Sequence, residues 1–458
     1  MSKQFDSIVI GAGQAGPSLA GRLTQSGQRV AFVERKLFGG TCVNTGCIPT
    51  KTLVASAYAA HMARRAADFG VRIDGPIAVD MKAVKARKDA ISAKSRTGVE
   101  GWLRGMENCI VFHEQARFLS SHSVQAGAET LEAEQIFINV GGRAAIPDMP
   151  GIDRIPYLIN STILDLEELP RHLAIVGGSY IGLEFAQMYR RFGSEVTIVE
   201  KGPRLVQHED EDVSAAIREI LEGEGIHIRL NAECIAFDQA EDGIAVHVAC
   251  DAGEPKVHAT HVLLAVGRVP NTDDLGLDKA GVVMDKHGYI QVDDQLRTNV
   301  PGIWAIGDCN GKGAFTHTSY NDFEIVAANL LDNDPRRVSD RISAHALYID
   351  PPLGRVGMTE AEVRKSGKAA LIGTRPMTKV GRAVEKGESQ GFMKILVDAE
   401  SKKIVGASIL GTGGDEAIHC ILDVMYSGQP YTMLQRAMHI HPTVSELIPT
   451  VLGGLKPL

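Results

Sequence analysis

The stretch Ser7-Ile8-Val9-Ile10-Gly11-Ala12-Gly13-Gln14-Ala15-Gly16 constrains this chain more than any other, because it joins a buried strand to a glycine turn. A helical stretch follows over Ser18–Thr24, then a second strand, Arg29–Val33, that ends on Glu34. Strand, glycine turn, helix, strand and acid, in that order, make a dinucleotide-binding unit. Gly11, Gly13 and Gly16 permit a tight turn and bring a pyrophosphate close to the helix N-terminus, where the dipole favours anions. Glu34 stands 18 residues past Gly16, where a carboxylate takes the two ribose hydroxyls.

The unit recurs. Leu173-Ala174-Ile175-Val176 reads as a strand, Gly177-Gly178-Ser179-Tyr180-Ile181-Gly182 as its turn, and a helix runs to about Arg191. The strand Glu195–Val199 ends on Glu200, again 18 residues past the last glycine, with Ser179 in place of the middle glycine. One chain built to hold two dinucleotides points to electron transfer between them. A third element, Ile303-Trp304-Ala305-Ile306-Gly307-Asp308, ends an apolar strand on a carboxylate at the usual ligand edge of an open α/β sheet. From about Ile342 the texture changes: strands Phe392–Val397 and Ile404–Ile409 precede an amphipathic stretch from Asp415 to Ser427, with no nucleotide fingerprint. At 458 residues the chain has room for about three domains. The expected fold is α/β: two Rossmann-like domains and a C-terminal α+β domain. The expected division is 1–145 for the first dinucleotide domain, 146–268 for the second, 269–338 for the continuation of the first, and 339–458 for the last.

Cys42 and Cys47 lie in Gly39-Gly40-Thr41-Cys42-Val43-Asn44-Thr45-Gly46-Cys47-Ile48-Pro49-Thr50-Lys51, at what reads as a loop entering a helix. Cysteines so spaced can close a disulfide that opens and shuts, and a thiol near a helix N-terminus has a lowered pKa. The thiolate attacks disulfides and binds soft metals. On spacing alone a static disulfide, half of a zinc site and two buried thiols stay open. Zinc has the least support, since no second cysteine pair or nearby Cys/His cluster completes four ligands. Cys109, Cys234, Cys250, Cys309 and Cys420 read as reduced structural thiols, which fits a reducing cytoplasm. The net charge of −8, spread without long runs, argues against a nucleic-acid or anionic-membrane partner. Met1-Ser2-Lys3-Gln4 leads directly into the apolar strand Phe5–Ile10, without a signal peptide, and no apolar run reaches the ~18 residues that span a bilayer.

Together these features resemble the class I pyridine nucleotide–disulfide oxidoreductases, the family of glutathione reductase, dihydrolipoamide dehydrogenase and mercuric reductase. The resemblance covers essentially the whole chain. It is carried by residues 39–51, Tyr180-Ile181-Gly182-Leu183-Glu184, Val266-Gly267-Arg268-Val269-Pro270-Asn271, Ala305-Ile306-Gly307-Asp308 and His441-Pro442-Thr443-Val444-Ser445-Glu446. It implies FAD at the first unit, held by Gly11, Gly13, Gly16, Thr41 and Lys51, with Glu34 on the adenosine ribose, the Ala116 backbone at the adenine and Asp308 on the ribityl chain. It implies a nicotinamide nucleotide at the second, with Gly177, Gly178, Ile181, Gly182, Glu200 and Gly267 around it and Tyr180 covering the nicotinamide pocket. Lys51, paired with Glu184, belongs near the flavin. Cys47 is the flavin-side thiol and Cys42 the outward thiol that attacks substrate. His441, oriented by Glu446, is the acid–base, a role that suits an imidazole with an unperturbed pKa of ~6.5. In the family this pair comes from the partner subunit, so the C-terminal domain is a dimerisation domain and the active unit a homodimer.

The substrate is less constrained. Glu200 repels a 2′-phosphate and favours NADH, although Lys201 and Arg204 leave NADPH open. Glutathione reductases usually carry a basic residue five positions after the last glycine of the first fingerprint, where this chain has Gly21. Mercuric reductases typically end in a vicinal cysteine pair, whereas this chain ends Gly453-Gly454-Leu455-Lys456-Pro457-Leu458. The wording at 315–322 and 351–358 is closer to a bacterial mercuric reductase-like branch that includes a flavoprotein reducing Cu(II). The expected activity is an NAD(P)H-dependent FAD disulfide reductase acting on a small disulfide or thiol. A metal-ion reductase for Hg(II) or Cu(II), using the same cysteine pair, is the alternative; the flavoprotein subunit of a larger complex is a third reading.

Overall fold

The computed structural model describes residues 2–249 and 254–458. Ser7–Ile10, Val30–Val33, Cys109–Phe112, Gln135–Ile138 and Ile303–Ala305 form one five-stranded sheet in which every pairing is parallel. Ser7–Ile10 and Val30–Val33 are buried along their whole length, which is why they read as near-continuous apolar runs rather than alternating ones. Counted along the chain, the strand order is 3-2-1-4-5. The winding therefore reverses between Ser7–Ile10 and Gln135–Ile138, and the carboxyl ends of those two strands open a ligand crevice. Ile303–Ala305 pairs with Gln135–Ile138, so Asp308 reaches the same edge.

The second sheet is built alike. His172–Val176, Glu195–Val199, His227–Arg229 and His261–Leu264 are parallel and stand in the order 3-2-1-4. The two glycine turns match closely: Gly11 has φ +105° and Gly177 φ +115°, and a Cβ on either would lie 2.3 Å from the carbonyl oxygen of Asn139 or Ala265. Only glycine lets the chain leave the strand this way. An antiparallel meander, Cys234–Ala240, Gly243–Ala249 and Lys256–Ala259, precedes the last strand.

From Ala344 a six-stranded antiparallel sheet takes over, with Phe392–Asp398 and Ile404–Leu410 near its centre and the helix Gly414–Ser427 packed on it through Ile418 and Ile421. Among the described residues no helix is long and apolar enough to cross a membrane, and Cys109, Cys309 and Cys420 are unpaired thiols. Cys250 and the side chain of Cys234 lie outside the described residues.

Candidate active site

Cys42 and Cys47 are not on a loop entering one helix, as the sequence suggested. Cys42 lies within a short helix, Gly40–Asn44, and Cys47 is the first residue of the long helix Cys47–Arg64. The extra turn forms because Gly40, at φ +60°, lets the chain press on the first glycine turn, and Asn44 Nδ2 donates to the Phe38 and Gly40 carbonyls at 2.9 Å. Both cysteines are free thiols. Cys47 is drawn down to about 6, first by the hydrogen bond from Cys42, then by Thr316 and the Lys51 charge, against the opposing effect of burial. The same hydrogen bond, together with burial, pushes Cys42 up. One thiol of the pair is thus poised as a thiolate and the other retains its proton. Thr316 Oγ1 sits 3.1 Å from the Cys47 sulfur and is itself the first residue of the helix Thr316–Leu331. Two helix N-termini therefore converge on this sulfur, and both favour negative charge.

Lys51, one turn into the cysteine helix, contacts both Glu184 oxygens at 2.9 and 2.7 Å. Glu184 is buried, also accepts from the Tyr348 amide at 3.1 Å, and Lys51 Nζ lies 4.5 Å from the Tyr348 ring centre. This is no solvated surface pair: Glu184 fixes the cation where it faces the cysteines.

A cavity of about 1490 Å³ runs from the first glycine turn to the cysteines. Gly11, Gly13, Glu34, Thr41, Ala116 and Asp308 line it together with Cys42, Cys47, Lys51 and Glu184. Glu34 accepts from the amides of Ala12 and Lys36, both at 2.7 Å, so its carboxylate is fixed at the mouth of the turn. Asp308 has its pKa raised by burial, tempered by Arg268 at 3.7 Å. Gly16 does not line the cavity; it is buried where helix and turn touch.

In the second unit Tyr180 and Ile181 line the same cavity, whereas Gly177, Gly178, Gly182, Glu200 and Gly267 do not. Glu200 repeats the role of Glu34, accepting from the amides of Gly178 at 2.6 Å and Gly202 at 2.7 Å. Arg204 is committed to Glu211 and to the carbonyls of Gln207 and Glu209. His441 Nδ1 meets Glu446 at 2.9 Å, but its side chain is 80 % exposed and neither residue lines the cavity beside the cysteines. Sequence reasoning missed Thr316, Tyr348, Glu209 and His345 as site residues. Thr316 follows Asp308 on the same strand-to-helix connection, a signal that was available; the others carry no local mark.

The profile of the pyridine nucleotide-disulphide oxidoreductases matches residues 5–322, and that of their dimerisation domain matches residues 343–452. The chain belongs to this family. The oxidoreductase is 36% identical over 461 residues to the probable pyridine nucleotide-disulfide oxidoreductase RclA of Escherichia coli, covering 99% of this chain and 100% of that one. It is 32% identical to a mercuric reductase of Streptomyces lividans, covering 97% and 94%. Among solved structures, the Cu(II) complex of the HOCl-induced flavoprotein disulfide reductase RclA from Escherichia coli superposes with a TM-score of 0.89 at 35% identity, covering 98% of this chain and 99% of that one. The family works with FAD and a pyridine nucleotide donor, and the residues here fit a flavin dinucleotide. The glycine turn leaves the crevice open, Glu34 is fixed beside it, and the cavity extends unbroken from there to Cys47.

Proposed function

We propose that this enzyme is an NADH-dependent FAD disulfide reductase acting through Cys42 and Cys47 on a small disulfide. The observation that carries the reading is the asymmetric pair: a Cys47 thiolate held near about 6 and a protonated Cys42, at the end of a dinucleotide cavity and beside a fixed lysine. The first glycine turn, Glu34, Thr41, Ala116 and Asp308 hold FAD. When bound, FAD supplies two-electron exchange between nicotinamide and sulfur. The dithiol chemistry belongs to the chain's own residues. Because Cys42 keeps its proton, it needs a base, and the partner subunit's His441, steadied by Glu446, takes it. The Cys42 thiolate attacks one sulfur of the substrate, forming a mixed disulfide and releasing a thiolate that His441 reprotonates. Cys47 then attacks the Cys42 sulfur, releasing the second substrate thiolate and closing Cys42–Cys47.

NADH is favoured because Glu200, fixed by the Gly178 and Gly202 amides as Glu34 is at the first turn, would meet a 2′-phosphate with like charge, and Arg204 already serves protein partners. A homodimer is supported by Met438 and Ile440, 99% and 80% exposed beside His441, which one chain alone leaves bare. The division at 145, 268 and 338 is part of the same proposal, as are a cytoplasmic setting, which the unpaired Cys109, Cys309 and Cys420 support, and the absence of nucleic-acid and membrane partners. The similarity to RclA in its Cu(II) complex supports a second reading, metal-ion reduction at the same cysteines.

Anaerobic NADH and NADPH oxidation with lipoamide, glutathione disulfide, small mixed disulfides, Hg(II) and Cu(II) separates the two. Saturable turnover of a disulfide that is lost in Cys42→Ser, with FAD retained, is the expected result. Turnover of a metal ion alone assigns the site to metal reduction and leaves His441 without its acid–base role. Where both substrates turn over, His441→Ala is expected to cripple disulfide reduction far more than metal reduction, and equal losses count against that role.

A further inference from the structure

Tyr180 opens the helix Tyr180–Phe192 directly after the second glycine turn, and its ring stands in the wall of the cavity. Three parts of the chain hold it there. Its hydroxyl donates to Glu209 Oε1 at 2.7 Å and lies 3.0 Å from His345 Nε2, and that same imidazole nitrogen is 2.7 Å from the same Glu209 oxygen. The ring meets Phe315 edge-on at 6.2 Å and His345 edge-on at 5.5 Å, while Phe315 and His345 stack at 5.6 Å and 5°. Phe315 directly precedes Thr316, the residue on the Cys47 sulfur, and His345 stands on the first strand of the C-terminal sheet.

Glu209 is 3% exposed, and its second oxygen, Oε2, is buried without a hydrogen-bond partner among the described residues. Burial raises its pKa, but the hydrogen bonds from His345 and Tyr180 and the nearby Arg355 charge outweigh this, so it is held ionised. A buried carboxylate already short of donors resists losing another. Swinging Tyr180 aside strips that donor away, so the closed position of the ring is the favoured one. The next residue, Asp210, is anchored by Lys394 at 2.9 Å and Arg355 at 3.4 Å, which keeps Glu209 from following the ring.

We propose that Glu209 and His345 are positioning residues that latch Tyr180 across the cavity, so that a nicotinamide must exchange this buried hydrogen bond to enter the cavity where the flavin would lie. This rests on the reading of the second glycine turn as the nicotinamide nucleotide site. The latch sets how much nucleotide is needed rather than how fast electrons pass once it is bound.

The test is anaerobic stopped-flow bleaching of the flavin in the purified holoenzyme over a range of NADH concentrations. Tyr180→Phe keeps the ring and removes the hydroxyl; Glu209→Gln keeps the shape and removes the charge. The half-saturating NADH concentration is expected to fall on the order of tenfold in Tyr180→Phe, the size of one hydrogen bond to a charged group, and by less in Glu209→Gln. The limiting bleaching rate is expected to move far less. The double variant is expected to match Tyr180→Phe, because without the hydroxyl Glu209 has nothing to hold. Unchanged or raised half-saturation in both single variants, or effects that multiply in the double variant, overturns the latch while the nucleotide reading stands. If neither NADH nor NADPH bleaches the wild-type flavin, the nucleotide reading falls and takes the latch with it.

Discussion

A thiol at the first position of a long helix is already biased towards thiolate, and Cys47 adds a hydrogen bond from Cys42, the Thr316 hydroxyl and the Lys51 charge. The contributions can be separated, since serine at position 42 retains a hydroxyl donor and alanine has none. In the reduced enzyme, Cys47 alkylation followed by mass spectrometry across pH is expected to rise through an apparent pKa near about 6 in the presence of Cys42. It is expected to stay close to that in Cys42→Ser and to move up by roughly one unit or more in Cys42→Ala. The sign follows from the depressed value: the thiolate is present above it and is lost as pH falls through it. Identical profiles in the serine and alanine variants count against the Cys42 hydrogen bond as the leading cause. At this scale the sequence was readable where chemistry is written in a motif. Cys42, Cys47, Lys51 and Glu184 lie in recognisable runs and the structure brings them together. Glu209 and His345 were not readable, because the sites they serve are assembled from residues separated by 29 and 165 positions along the chain.

Elements were legible in proportion to how much of their pattern is apolar. The strands Ser7–Ile10, Val30–Val33, His172–Val176 and Glu195–Val199 are buried along nearly their whole length and announce themselves, and the helices after the glycine turns follow from them. The helix Met81–Arg104 leaves a faint trace despite 24 residues, since only Met81, Lys88, Ser92 and Leu103 are buried in it. The short helix holding Cys42 was hidden for another reason: a five-residue helix has almost no periodicity to read, and tertiary contact with the first glycine turn stabilises it. The glycine turns themselves support a sharp test. A Cβ at Gly16 would lie 2.2 Å from the Gly11 carbonyl oxygen, and at Gly182 2.1 Å from that of Gly177, so either side chain must push its turn away from the helix. Gly16→Val is expected to yield folded protein with most of its flavin lost, read from the 450 nm absorbance per chain. Gly182→Val is expected to retain flavin and lose nucleotide binding instead. Loss of flavin from both variants alike contradicts the assignment of one cofactor to each turn.

At the scale of the whole molecule, charge and symmetry decide what sequence patterns cannot. Lys394, 1% exposed in the C-terminal sheet, reaches Asp210 at 2.9 Å, Asp212 at 2.7 Å and Glu360 at 3.3 Å, joining that sheet to the second dinucleotide unit. Lys394→Met leaves the buried Asp210 with only the longer Arg355 contact, while the more exposed Asp212 and Glu360 turn to water or to Arg364, and is expected to cost about 3 kcal/mol in urea unfolding. A loss under about 1 kcal/mol means Asp210 finds water or another cation as well. Glu446 and His441 raise the larger question, because one chain places them on its surface, away from its own cysteines, beside the bare Met438 and Ile440. If two chains complete each site, two inactive variants must rescue each other. Cys42→Ser lacks the attacking thiol, and His441→Ala lacks the base. A mixed dimer of the two holds one site with both residues intact and one with neither. Random exchange of subunits makes about half of the dimers mixed, so activity is expected to recover to about a quarter of wild type. Recovery depends on exchange, so it develops only after dissociation and reassociation, and it disappears when the variants carry Ile440→Asp, which charges the bare face and blocks the pairing. Activity that stays at the level of the separate variants after proven exchange places both residues of each working site on the same chain.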